Sequence, residues 1–312
     1  MDFFLLITGL IGLWLGTELT IGGALAIARR LRLSEFFVGL VILSIGSDLP
    51  EIAVATDAGL KGLTGVDASG VVVGSSVGSV IAQIGFVLGV GAVISRLQLP
   101  RDFIYRHGAV LLLATVLLFV VVLDGVVTRG EGLALIVSYV VYVVALTRNS
   151  GDPAAEKPDA IAQGGLRSWI LLLVGLATVI MGSEVTVEAV LSIARRLEIS
   201  EALISVLVIG IGTSLPELSI SISAILKRRT QMSVGNIVGS NILDTLLPIG
   251  IAAVISRVTI DAQTRYFDIP YIFVLTVVVL ALLLARRGVS RPQGILILSI
   301  YGLYVVVKLI QF

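Results

Sequence analysis

The chain contains no cysteine and a single histidine, His107. Disulfides, thiolate-ligated zinc, iron–sulfur clusters and thiol catalysis are therefore excluded. A histidine-rich transition-metal site cannot be assembled. Charge is scarce too: Asp, Glu, Lys and Arg make up 14% of the 312 residues, against about 25% in soluble proteins. A net charge of +1 leaves no basic surface for nucleic acid. No nucleophile–base constellation and no GxxxxGK[ST] phosphate loop occur, so neither an enzyme nor an ATP-driven pump is supported. What remains is apolar. Hydrophobic residues are 57% of the chain, glycines number 33, and mean hydropathy is +1.07. That rules out an ordinary soluble protein and a disordered one. At about 20 residues per crossing there is material for about ten spans.

The first charge is Asp2, and the apolar run continues past Leu25. The start therefore reads as a retained span, since a cleaved signal would open on a basic stretch. Ten apolar segments lie near 3–28, 36–60, 69–94, 105–124, 131–147, 168–194, 201–226, 232–256, 268–285 and 293–311. Backbone groups in lipid must be satisfied internally, so even the Val-rich run 116–123 is expected to be helical. Fifteen of the 22 Lys and Arg residues fall in loops after odd-numbered spans and seven on the other side. The richer side is expected to be cytoplasmic. The chain is then a multi-pass protein of the cell membrane with both termini extracellular. Arg148 to Arg167, with Pro153 and Pro158, reads as a cytoplasmic linker over 148–167 between halves 1–147 and 168–312.

The halves repeat. Gly16–Glu35 (GTELTIGGALAIARRLRLSE) matches Gly182–Glu201 (GSEVTVEAVLSIARRLEISE) at eleven of twenty positions, at an offset of 166. Ile45–Ala55 faces Ile211–Ser221 at the same offset, and Val71–Gly85 faces Met232–Leu246 at 161. Five spans per half turn the second copy upside down. Such inverted repeats characterise secondary transporters with a midplane site between the halves. Duplication for stability alone, as in a channel or scaffold, is the other reading.

Six acidic residues are the candidates for membrane depth: Glu18, Asp48, Glu51, Glu184, Glu217 and Asp244. A charge at mid-bilayer costs roughly 2.5–3.5 kcal/mol. None of the six has Lys or Arg within one helical turn, which points to a cation as the partner. For Glu18 and Glu184 a helix-end carboxylate in water is the alternative. Pro50 and Pro216 should break their spans. Asp48-x-x-Glu51 and Ser214-x-x-Glu217 have the spacing of a capping box, which would start a new half-helix. The preceding halves would end near Gly46 and Gly212 with free carbonyls, ligands suited to Na⁺ or Ca²⁺. Gly74, Gly78, Gly235 and Gly239 allow close helix approach. Ser79 and Gln83 share one helix face, as do Ser240 and Asp244, for ion coordination or for internal hydrogen bonding.

GSDLPE (Gly46–Glu51), GTSLPE (Gly212–Glu217), GSSVGSVIAQIG (Gly74–Gly85) and GNIVGSNILDTL (Gly235–Leu246) resemble the two α-repeats of the cation/Ca²⁺ antiporter superfamily, most nearly its prokaryotic sodium/calcium exchangers. The repeat motifs cover 39–90 and 205–250. The resemblance implies an all-α integral membrane protein with ten transmembrane helices in two inverted five-helix repeats. Spans two, three, seven and eight would form the central ion site. It implies that Glu51, Glu217 and Asp244 bind the metal ion, with Ser47, Asp48, Ser79, Gln83, Thr213, Ser214 and Ser240 around it. Glu18 and Glu184 become candidate pathway residues. Spans one and six would slide past the other eight.

Departures from the family pattern are concentrated in the first repeat. Asp48 adds a charge where a hydroxyl is expected, and Gln83 replaces Asn or Asp. Gly74-Ser75 replaces Gly-Asn, and Val80 replaces Asn. Four carboxylates that close cannot all ionise unless cations or protons share the site. The implied function is a secondary active antiporter exchanging Ca²⁺, or a related cation, for Na⁺ or H⁺ by alternating access. No cofactor is implied, the transported Ca²⁺ and Na⁺ or H⁺ being the ligands. Partners are inorganic cations and membrane lipids. Oligomeric state is open, and a monomer is compatible. The alternatives are an H⁺-coupled or other-divalent exchanger with altered first-repeat selectivity, and a non-transporting membrane cation sensor or scaffold. The Lys227–Arg229 and Arg286–Arg291 clusters fit either anionic lipid or ordinary topology, and His107 is expected in an interfacial loop.

Overall fold

The computed structural model describes residues 2–99, 101–148, 165–196, 212, 214–286 and 288–311. Thr213, the first part of span seven and most of the linker lie outside the described residues. Among the described residues, eight helices are long and apolar enough to cross a membrane: α1 (Asp2–Leu31), α4 (Ser69–Ile94), α5 (Arg101–Val121), α6 (Arg129–Arg148), α7 (Leu166–Arg196), α9 (Thr230–Ile255), α10 (Thr264–Ala285) and α11 (Arg291–Gln311). A ninth span is broken. Helices α2 (Glu35–Ser47) and α3 (Leu49–Leu63) meet at a bend of 44°. The shorter apolar helix α8 (Leu215–Leu226) corresponds to the second part of span seven. The Val-rich run is helical through Val121, as its place in lipid requires.

Two short ribbons tie the halves together. Strand β1 (Leu97–Gln98) pairs antiparallel with β4 (Gly288–Val289), and β2 (Val126–Val127) with β3 (Val258–Thr259). Each ribbon takes one strand from each half. Helix starts repeat as well. Ahead of α6, Thr128 N and Oγ1 donate to Glu131 Oε2 at 2.8 and 2.7 Å. Ahead of α11, Ser290 N and Oγ donate to Gln293 Oε1, both at 2.9 Å. Both are capping boxes that satisfy otherwise unpaired helix-start donors.

Glycines set the close crossings. A Cβ on Gly132 would sit 2.8 Å from Gly250 O and from the Ala253 side chain; one on Gly294 would sit 2.9 Å from Gly89 O and Ala92 Cβ. Helix α6 thus lies on α9 as α11 lies on α4. Overpacking such contacts costs about 1–3 kcal/mol. Gly132→Leu and Gly294→Leu should each lower the thermal unfolding midpoint in detergent, and an unchanged midpoint would contradict these crossings. Helices α1 and α7 also cross closely along their lengths. A Cβ on Gly16 would lie 2.7 Å from Val179 N, and one on Gly182 2.8 Å from Leu13 N. This pair, with parts of α2, α8 and α9, forms a small apolar cluster separate from the main core, which spans both halves.

Candidate functional site

The site is built where α2 and α8 meet their breaks. Pro50 has no N–H, so Gly46 O loses its helical donor. The ladder otherwise continues across the corner: Asp48 N donates to Ser44 O at 3.0 Å, and Ile52 N to Asp48 O at 3.1 Å. Asp48 itself is the corner, at φ −88° and ψ 7°. Ser214 takes the matching conformation at φ −94° and ψ 8° before Leu215.

The expected capping boxes do not form. Neither Asp48 nor Ser214 caps the helix it precedes. At Asp48 the ladder is nearly intact and few N–H groups need a cap; both side chains are left for the interior. Asp48 Oδ1 accepts from Ser240 Oγ at 2.9 Å and from Ser47 Oγ at 3.2 Å. Ser214 Oγ lies 3.3 Å from Ser79 Oγ.

Helices α4 and α9 close the other side. Gln83 Nε2 donates to Asp244 Oδ2 at 2.9 Å, and Ser76 Oγ donates to the Asp244 main-chain oxygen. A π-helical turn, Gln83–Val87, begins at Gln83 itself. Such turns reset the helix phase and recur at functional sites. Glu217 faces Asp48 and Ser47, and Asp48 feels the charges of Asp244, Glu217 and Glu51.

All four carboxylates are buried, as are Gln83 and the four serines Ser47, Ser79, Ser214 and Ser240. Six of their oxygens have no donor: Asp48 Oδ2, Glu51 Oε2, Gln83 Oε1, both of Glu217, and Asp244 Oδ1. Burying an acceptor unpaired is costly, and for a charge more so. None of the five ion pairs found among the described residues involves these carboxylates. Among the described residues no three acidic or histidine side chains are drawn together tightly enough to form a preset metal cluster. The carboxylates face one another without collapsing. Oxygen-only ligation of this kind suits hard cations.

The structure therefore gathers Ser47, Asp48, Glu51, Ser79, Gln83, Ser214, Glu217, Ser240 and Asp244. Thr213 lies outside the described residues. Glu18 and Glu184 are not in the group. Glu18 does have a cation partner, contrary to expectation: Lys227 Nζ sits 2.6 Å from its Oε2. The two are 209 residues apart, far beyond one helical turn along the chain. Glu184 is exposed on α7.

Three further features escaped the sequence. Ser76 lies one turn before Ser79, and that spacing was the available signal. Tyr139 of α6 is buried and within reach of the fields of Asp48 and Asp244. Asp268, buried in α10, is held by Lys308 at 2.9 Å and Tyr304 at 3.0 Å, away from the site. His107 is on helix α5 rather than in a loop, with Nδ1 2.8 Å from the Tyr142 hydroxyl.

Known proteins match along nearly the full chain. The profile of the sodium/calcium exchanger protein family matches residues 1–148 and 167–310. An uncharacterised membrane protein of Methanocaldococcus jannaschii is 31% identical over 301 residues, covering 96% of this chain and 95% of its own. The sodium/calcium exchanger MaX1 of Methanosarcina acetivorans is 26% identical, with 98% of each chain covered. Among solved structures, the sodium-calcium exchanger NCX_Mj soaked with Na⁺ and Sr²⁺ superposes with a TM-score of 0.83 at 28% identity, covering 98% of both chains.

Proposed function

Because this chain belongs to the sodium/calcium exchanger protein family, we propose that it is a secondary active antiporter, exchanging Ca²⁺ or a related cation for Na⁺ or H⁺ by alternating access. It is a membrane transporter and not an enzyme. Ten transmembrane helices form two inverted five-helix repeats, 1–147 and 168–312, joined by a cytoplasmic linker at 148–167, with both termini outside. The observation that carries the reading is the set of six donorless oxygens on Asp48, Glu51, Gln83, Glu217 and Asp244. Glu51, Glu217 and Asp244 bind the divalent ion. Asp48, Gln83, Ser47, Ser79, Ser214 and Ser240 complete the shell, as does Thr213.

Transport follows from charge. A site with several ionised carboxylates resists crossing an apolar barrier. Ca²⁺, or several monovalent ions, neutralises it and permits the switch. Both substrates compete for one set of oxygens, which makes the process exchange rather than uniport.

The test is radiolabelled Ca²⁺ uptake into proteoliposomes, with an outward Na⁺ gradient in one arm and an outward H⁺ gradient in another. Uptake driven by either gradient is expected. Uptake in neither would sink the antiport reading, and cation binding without flux would leave a sensor. Asp48 favours the H⁺-coupled version. It puts a fourth carboxylate within the field of the other three, and a proton is the smallest ion that can share so crowded a group.

A further inference from the structure

We infer that Glu18–Lys227 and Glu184–Lys61 are two alternately made ion pairs, each closing one end of the transport path. The inference rests on the antiport reading. At the repeat offset of 166, Glu18 corresponds to Glu184 and Lys227 to Lys61. The same Glu and Lys therefore occur twice, in opposite orientations. Only one pair is made: Lys227 Nζ to Glu18 Oε2 at 2.6 Å. Lys61 is held instead by Asp57, one turn earlier on α3, at 2.7 Å. Glu184 is exposed and has no ion pair among the described residues.

Packing carries the same asymmetry. On α1 and α8, Ala24, Ile27 and Ile220 are fully buried in the small cluster with Val38, Leu43 and Met232. Their counterparts at the 166 offset are Val190, Ile193 and Val54. Val190 is 46% and Val54 37% exposed, and Ile193 is half-buried. The end near Lys227 is sealed by α1 lying against α8. The end near Lys61 is not sealed by α7 against α3.

Two copies of one fold in opposite orientation can exchange these conformations. The seal then passes to the other end. Glu184 reaches Lys61, Val190 covers Val54, and Glu18 parts from Lys227. Asp57 makes the two states unequal. It competes for Lys61, whereas its counterpart, Ser223, carries no charge to compete for Lys227. The conformation sealed at Lys227 is thereby favoured. A half-exposed pair contributes up to about 1 kcal/mol, or about fivefold in population.

The natural chain has no cysteine, so introduced thiols are unique. Two double variants are needed, Glu18→Cys with Lys227→Cys and Lys61→Cys with Glu184→Cys, in the full chain in proteoliposomes. A short reversible bis-thiosulfonate reagent should cross-link both pairs, the first more readily. Each cross-link should stop exchange until reductant restores it. Adding Asp57→Ser to the 18/227 variant, which keeps Lys61 and Glu184, should lower its cross-linking up to about fivefold. Cross-linking at 18/227 alone overturns the inference, as does full exchange with either link in place. Absence of flux from the natural chain would sink only the antiport reading, since cross-linking of both pairs reports the two conformations without ion movement.

Discussion

Glu217→Gln lowers Ca²⁺ exchange by at least about 100-fold while leaving the protein folded. Glu217 is fully buried, and neither oxygen has a donor. Two unit charges 4 Å apart interact by about 4 kcal/mol at an effective dielectric of about 20, and a divalent ion doubles that to about 8. Retaining a third of this after water exchange amounts to about 100-fold in affinity. Gln keeps the shape of Glu, removes the charge, and places an N–H₂ where Ca²⁺ requires an oxygen. It also relieves repulsion with Asp48, so folding should not suffer. Glu188→Gln is the matched control: Glu188 is exposed on α7 and should keep its rate. The comparison is initial uptake of radiolabelled Ca²⁺, with size-exclusion profiles confirming both proteins. Full exchange by Glu217→Gln would remove Glu217 from the ion site and leave the proposed mechanism without its centre.

The parts legible in the sequence were those with a local or periodic signature. Length and apolarity located the helices. Pro50 marked the corner between α2 and α3, because a missing N–H acts on its own turn. The four-residue spacing of Ser79 with Gln83 and of Ser240 with Asp244 identified the faces that now meet. What the sequence hid was set by distance along the chain or by competition for a side chain. Lys227 finds Glu18 across 209 residues. Lys308 finds Asp268 across 40. Capping boxes were expected at Asp48 and Ser214 from spacing alone. That spacing was correct at Thr128 and Ser290, where the helix starts afresh. It failed at Asp48, where the backbone ladder runs on through the corner, and at Ser214, whose hydroxyl lies against Ser79 instead. The repeat itself explains why both ribbons and both capping boxes occur in matching pairs.

Asp48→Asn should change how many monovalent charges are exchanged for each Ca²⁺, which separates it from every other substitution considered. Asn keeps the oxygen that accepts from Ser240 and Ser47, so the corner should hold. The pocket would then carry three carboxylates rather than four. On the Ca²⁺-loaded limb two charges are neutralised in either protein. On the return limb the natural site needs one more Na⁺ or H⁺ than the variant to reach the same net charge. Moving one charge through 100 mV is worth about 2.3 kcal/mol, and by the tenfold-per-1.4 kcal/mol rule that is about 50-fold in a concentration ratio. At an imposed potential of that size the steady Ca²⁺ gradient held by Asp48→Asn should therefore differ about 50-fold from that of the natural chain. The zero-flux potential should move with it. Identical steady gradients and identical zero-flux potentials in the two proteins would mean that Asp48 crosses the cycle with its proton permanently attached. The fourth carboxylate would then be a hydrogen-bonding group held by Ser240, with no part in setting the coupling.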